Sequence, residues 1–318
     1  MTFTDFPFLP RRSFLARTGA VAASGLLASS ALFAQKPATP GGAYEPTRGQ
    51  FGKDVIWIPS PDTLVTRMLR LAATTPQDYV IDLGSGDGKI VIAAAREFKA
   101  QGKGIEYNPD LVELSNRRAK AAGVDQRAQF EKADIFESDF SRATVITMYL
   151  LPHLNLKLRH RILALKPGTR VVSHEFRMGR WIPDETSRVG SASVHLWLVP
   201  ANVGGEWELT FPEQAGPANV RMTLNQTFQN FTGDVVFKDF STAVRNQRVA
   251  GEKVHFSFTD EDGHLRRFEG QVAGDRITGS VFQDGKQAAF SARRVGAAPA
   301  IGGSGPAPEN EAESLSAE

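Results

Sequence analysis

Three alternate glycines follow directly on a β-branched apolar run in Val80-Ile81-Asp82-Leu83-Gly84-Ser85-Gly86-Asp87-Gly88. No other stretch restricts the fold as much. The apolar residues read as a buried strand, and Val91, Ala94, Ala95 and Phe98 beyond the glycines repeat at helical spacing. A strand that turns through glycine into a helix opens an α/β unit, and the missing side chains let a ligand approach the backbone.

The order of residues in this turn excludes two common ligand loops. The dinucleotide pattern G-x-G-x-x-G fails because Lys89 stands where its third glycine belongs. The phosphate loop G-x-x-x-x-G-K-[S/T] fails because Gly88-Lys89 is followed by Ile90 and preceded, five residues back, by Leu83. A pyrophosphate is therefore not expected. An acid at the strand end, Asp82, suits a ligand that carries an ammonium and a sulfonium, and S-adenosylmethionine carries both.

The next acids fall in register with that ligand. A second apolar run over residues 102–107 ends at Glu106, about 20 residues past the turn, where α/β nucleotide folds place a carboxylate for vicinal ribose hydroxyls. A third strand over residues 128–132 leads to Asp134 and Ile135, where a carboxylate and a backbone N–H can meet an adenine ring. Ligands of open α/β sheets bind at the carboxyl edge, where all three acids are expected.

Strand and helix alternate over residues 51–176, which implies a parallel sheet with helices on both faces. Ser60-Pro61 reads as a helix cap ahead of Leu64, Val65, Met68, Leu71 and Ala72, and Asn108-Pro109 starts a helix that stops at Gly123. Residues 144–150 and 170–176 form the fourth and fifth strands, and the run 194–199 is expected to close the sheet at an edge. After Pro200 the texture changes to short β-rich runs separated by Asp262-Gly263, Gly274-Asp275 and Asp284-Gly285, the signature of an antiparallel meander or small barrel of about eight strands.

The termini read differently from this body. Arg11-Arg12-Ser13-Phe14-Leu15 matches a twin-arginine export signal, and residues 19–34 are a weakly apolar stretch too short for a membrane anchor. The expected organisation is a signal over residues 1–34, a Pro/Gly linker over 35–50, an α/β domain over 51–200, a β domain over 201–295 and a disordered tail over 296–318. Such a signal implies a periplasmic or membrane-associated protein, against a cytoplasmic alternative, and leaves the β domain to dock a substrate or an envelope component.

Charge and composition narrow the chemistry. Lys and Arg total 37 against 35 for Asp and Glu, which argues against a dedicated nucleic-acid binder, and Lys157, Arg159, Arg161, Lys166 and Arg170 read as a solvated face. The absence of cysteine removes disulfides and thiol catalysis, and the six histidines show no ligand spacing, so no metal is expected.

Residues 51–200 resemble the class I S-adenosylmethionine-dependent methyltransferases, whose sheet is Rossmann-like. Within them the chain looks most like the protein-lysine methyltransferase family that acts on adenine nucleotide translocase and on the c-ring protein of ATP synthase. The similarity rests on Trp57-Ile58-Pro59-Ser60-Pro61, the glycine turn, Glu106, Tyr149-Leu150-Leu151-Pro152 and Lys166-Pro167-Gly168-Thr169-Arg170-Val171-Val172-Ser173-His174. It implies that Asp82, Gly84, Ser85, Gly86, Glu106, Asp134 and Ile135 hold the cofactor, with Pro59 and Ser60 covering it. It also implies that Tyr149, Leu150 and Pro152 face the methyl acceptor, with His174 as a further catalytic candidate. The acceptor it implies is a lysine of a protein substrate; a small-molecule acceptor and a noncatalytic exported binding protein remain as alternatives. Adenine-N6 methyltransferases place an Asn or Asp ahead of Pro-Pro-aromatic, and the Y-L-L-P string lacks it.

Overall fold

The computed structural model describes residues 44–213, 216–306 and Glu311. The export signal over residues 1–34 lies outside the described residues. Among those described, no helix is long and apolar enough to cross a membrane.

The first half folds as α1 (Asp62–Leu71), β1 (Tyr79–Leu83), α2 (Lys89–Glu97), β2 (Gln101–Glu106), α3 (Pro109–Ala121), β3 (Ala128–Lys132), β4 (Val145–Met148), α4 (Pro152–Leu163), β5 (Arg170–His174), β6 (Glu185–Val189) and β7 (Ala192–Leu198). The seven strands form one sheet in the order β3-β2-β1-β4-β5-β7-β6. The first five strands run parallel, and β7 is antiparallel to both β5 and β6.

Because successive strand residues point to opposite faces, each strand feeds two cores. Val80, Val145, Val172 and Leu196 pack with Leu64, Met68 and Leu69 of α1 and Ile90 and Ala94 of α2. Ile81, Ile146, Val171 and Trp197 pack with Leu154, Leu158 and Ile162 of α4. Burial on both faces explains why these strands read as continuous apolar runs.

Three local expectations are corrected. The run over residues 194–199 is not an edge strand: β7 lies between β5 and β6. The true edge, Glu-Thr-Ser-Arg-Val, is polar and partly exposed, so it carries no apolar signal. Ser60 does not cap α1, whose N-cap is Pro61 with no side-chain hydrogen bond. The fourth strand ends at Met148, so Tyr149 and Leu150 lie in the loop beyond it.

The second half is a nine-stranded antiparallel sheet built from β8 (Gly205–Glu213), β9 (Gly216–Thr227), β10 (Asn230–Val236), β11 (Ser241–Ala243), β12 (Arg245–Ala250), β13 (Lys253–Thr259), β14 (Leu265–Ala273), β15 (Arg276–Gln283) and β16 (Lys286–Val295). Its ends approach closely: β11 runs through Val244 into β12, and Val249 N–H of β12 donates to Gln229 O, just ahead of β10, at 3.0 Å. Phenylalanine rings fill the axis of this nearly closed barrel. Phe268 stacks on Phe256 at 4.7 Å and on Phe258 at 5.0 Å, with Phe290 edge-on at 5.0 Å. Buried Arg266 pairs with buried Asp260 at 2.7 Å, and Arg294 lies 4.2 Å from the Trp207 ring centre.

The barrel completes the core of the first half. Phe228, at the β9–β10 turn, stacks on Trp181 at 6.0 Å, and the Trp197 indole donates to Trp181 O at 2.7 Å. Gln229 Nε2 donates to Ile182 O at 2.6 Å, and Arg248 pairs with Asp184 at 2.5 Å.

The basic set and the tail are also corrected. Arg159 is buried and holds Glu311 at 2.5 Å, while Arg170 pairs with Asp78. Arg161 reaches the carbonyls of Ile135, Phe136 and Ser138. Two of the five thus sit in ion pairs with little exposure and a third ties down a loop, because long cationic side chains can bury when a carboxylate or carbonyls meet the charge. In the tail, Gly302 exchanges backbone hydrogen bonds with Gln226 and Phe228, so its described part is docked. The folded body likewise begins before Phe51, since Gly49 N–H donates to Trp57 O at 2.9 Å.

A shared core predicts shared unfolding. Phe228→Ala should cost about 3–5 kcal/mol in a single denaturant transition seen alike by fluorescence and circular dichroism. Two separate transitions in the parent protein would show that the halves stand independently.

Candidate active site

The carboxyl edge of the sheet opens into a cavity of about 230 Å³ between the glycine turn and the segment over residues 50–60. Pro59, Ser60, Asp82, Gly84, Ser85, Gly86, Glu106, Asp134, Ile135, Tyr149 and Leu150 all border it. Pro152 and His174 do not. Pro152 is the first residue of α4, where its missing N–H costs nothing, and His174 lies behind Tyr149.

The glycine turn is held open by its backbone. Gly84, Gly86 and Gly88 all have positive φ. A Cβ on Gly86 would sit 2.6 Å from Trp57 Nε1, and one on Gly88 would sit 2.7 Å from the Phe130 ring. Glu106 fastens the turn from the next strand: its Oε2 accepts Gly86 N–H at 2.8 Å and its Oε1 accepts Asn108 N–H at 2.9 Å. Both oxygens are thereby fixed in direction, and each keeps a lone pair for a hydroxyl. Ser85 contributes less than its position suggests. Its Oγ is buried without a partner, turned in against Gly104, so only its backbone faces the cavity edge.

Asp82 is the buried charge of the site. Thr147 Oγ1 donates to its Oδ1 at 2.7 Å. Burial, reinforced by the neighbouring Glu106 and Asp87 carboxylates and opposed by the Thr147 bond, pushes its pKa up to about 7. A carboxyl in that condition needs a cation beside it to ionise fully.

A hairpin over residues 49–57 covers the cavity. Gly52 N–H donates to Val55 O at 2.8 Å and Trp57 N–H to Gln50 O at 2.8 Å. At its tip Lys53 pairs with Asp134, whose other oxygen accepts Phe136 N–H at 2.9 Å. Lys53 thus holds the Asp134 carboxyl below the ordinary range. Sequence pattern alone misses this hairpin and Lys53. The turn signal is there, Gly52-Lys53-Asp54 between apolar residues, but the run is too short to show a period.

The cavity also has an apolar and aromatic wall. Tyr149, Leu150, Leu151, Leu154 and Phe176 form it. Phe176 also escapes the sequence pattern; it follows Glu175, whose φ of 66° turns the chain out of β5. Among the described residues no group of acids and histidines could hold a metal ion.

A parallel sheet whose first turn is three left-handed glycines, flanked by a carboxylate on each of the next two strand ends, defines a methyltransferase domain. The model of the ANTKMT methyltransferase domain matches residues 82–185. Over 151 residues the chain is 41% identical to a protein-lysine N-methyltransferase of Saccharolobus islandicus, covering 46% of this chain and 94% of that protein. It is 37% identical over 142 residues to the lysine N-methyltransferase of Mus musculus that is named for the c-ring protein of ATP synthase, covering 44% of this chain and 55% of the mouse protein. A solved structure of an RNA methyltransferase from Salinibacter ruber, in complex with S-adenosyl-L-homocysteine, is 50% identical, with 46% of this chain and 96% of that one covered and a TM-score of 0.45. The chain belongs to the protein-lysine N-methyltransferase family. It spans about half the length of the mouse relative.

The cofactor is S-adenosylmethionine, and the residues present fit it. Asp82 supplies the buried negative charge for a cationic ligand, Glu106 the oriented acceptor pair, and the turn the side-chain-free surface. Asp134 can receive an adenine amino group only on lone pairs that Lys53 and Phe136 leave free.

Asp82 makes binding depend on pH. Below about pH 7 the carboxyl is protonated and loses its attraction for a cation, so the cofactor Kd should rise roughly tenfold between pH 7.5 and 6, with proton release visible by calorimetry in two buffers. The raised pKa also means that ionising Asp82 destabilises the ligand-free fold progressively as pH rises from about 4 to 7. Asp82→Asn should therefore abolish cofactor binding yet raise ligand-free stability at pH 8 by roughly 2–4 kcal/mol, a gain that vanishes near pH 4.

Proposed function

We propose that the chain is a class I, Rossmann-like S-adenosylmethionine-dependent methyltransferase that acts on the side-chain amine of lysine in a protein substrate. The observation that carries this is that one cavity is lined both by the cofactor carboxylates and by Tyr149, Leu150, Leu151, Leu154 and Phe176. Its membership of a family of lysine methyltransferases supports the same acceptor.

When bound, S-adenosylmethionine supplies an electrophilic methyl group on a sulfonium. The chain has then to align an amine lone pair behind that methyl carbon and keep water out. A lysine of ordinary pKa about 10.4 must first shed a proton to solvent. The apolar wall disfavours the charged ammonium and so favours the attacking form. No covalent nucleophile is needed.

The β domain enters this reading through its outer surface, since phenylalanines fill its interior. We also infer that the chain is exported folded through the twin-arginine route, which Arg11-Arg12-Ser13-Phe14-Leu15 supports. Replacement of Arg11-Arg12 by Lys-Lys should then shift the chain from the periplasmic or membrane fraction to the cytoplasm.

The test of activity is transfer of labelled methyl from S-adenosylmethionine to the proteome of a deletion strain, followed by mass spectrometry. Label on lysine is expected, reduced at least about a hundredfold in Glu106→Ala. Label confined to a low-mass fraction would establish a small-molecule acceptor instead.

A further inference from the structure

The end of β5 carries a side chain that the methyl-transfer chemistry does not use. His174 is buried and does not border the cavity, yet it contacts two residues that do. Its Nδ1 lies 3.0 Å from Ser60 Oγ, and its ring centre lies 3.7 Å from that of Tyr149, with the planes 32° apart. Phe176 flanks Tyr149 on a near-parallel plane at 6.2 Å. Ser60 in turn accepts Lys89 Nζ on its carbonyl at 3.0 Å, and Lys89 is the residue that follows the last glycine of the turn. One chain of contacts therefore runs from the cofactor turn through Lys89, Ser60 and His174 to Tyr149 in the apolar wall.

We propose that His174 is a positioning residue: it fixes the Tyr149 ring against the acceptor and ties the placement of that ring to the cofactor-covering residue Ser60. The inference rests on the reading of the chain as a lysine methyltransferase. His174 does not border the cavity, so it has no direct contact through which to take the acceptor's proton. Burial lowers the His174 pKa, which favours a neutral imidazole sharing one hydrogen bond with the Ser60 hydroxyl. The tilt of Tyr149 on a neutral aromatic face is then set by packing. The backbone after His174 is fixed as well. Ser173 Oγ and Asn155 Nδ2 both donate to Phe176 O, at 2.7 and 3.2 Å, so the support under Tyr149 is rigid on two sides.

The experiment is a double-mutant cycle in the full chain with a lysine-bearing protein acceptor. His174→Phe keeps a flat ring under Tyr149 but removes the bond to Ser60, and Ser60→Ala removes the same bond from the other side. His174→Phe, at a residue outside the cavity lining, is expected to bind S-adenosylmethionine with a Kd within about twofold of the parent, and both single variants to lose about tenfold in kcat/KM for the acceptor. The double variant should lose no more than either single one, because both delete one interaction. Ser60→Thr, which retains the hydroxyl, should restore the rate, and it decides the matter if His174→Phe does not fold. Additive losses, parental rates in His174→Phe, or a loss confined to cofactor Kd would each overturn the proposal. Absence of methyl transfer by the parent chain would overturn the underlying reading instead, so the two failures are distinguishable.

Discussion

A carboxylate buried at the end of β1 is the constraint from which the rest of this site follows. Ionising Asp82 costs the ligand-free fold stability until something positive arrives, and until then the protein holds it by one hydroxyl, from Thr147 on the neighbouring strand. Every other feature of the site limits what that positive group can be. Glycines remove side chains where the ligand must touch backbone, and Glu106 commits its backbone contacts to Gly86 and Asn108 so that its remaining lone pairs point one way. The stability given up at Asp82 is recovered when ligand binds, an exchange typical of functional sites.

Much of this was legible in the chain, and the reasons differ from residue to residue. The glycine turn, Glu106 and Asp134 could be read because each follows a buried strand, and buried parallel strands announce themselves as apolar runs. The edge strand β6 could not, because its residues face solvent and alternate without an apolar partner. String similarity makes Pro152 an acceptor-facing residue and His174 a catalytic candidate, but it preserves neighbours in sequence and not direction of side chains; one opens a helix and the other supports the wall from behind. Phe176 and Lys53 escaped for the opposite reason, since a left-handed residue at Glu175 and a short hairpin at Gly52 decide where they point.

The charged residues teach a similar lesson. A basic run between residues 157 and 170 looks like a solvated face by composition alone, yet Arg159 is 2% exposed. Its carboxylate partner, Glu311, lies 152 positions later in the chain, beyond any window in which periodicity is read. Local pattern reports which residues can be buried when paired, and only the fold supplies the pair.

The stacking of Phe228 on Trp181 carries one more consequence, for the order of events during synthesis. The sheet, its glycine turn and the α4 cover of the Trp197 face are made first, but Trp181 lacks its stacking partner until the β9–β10 turn has emerged and folded onto it. Contacts of such sequence separation form slowly, because a long loop must close before they contribute. The nascent first half therefore waits, with the Trp181 ring uncovered, for a barrel translated after it. A chaperone that covers that ring would be matched to this chain by its timetable as much as by its surface.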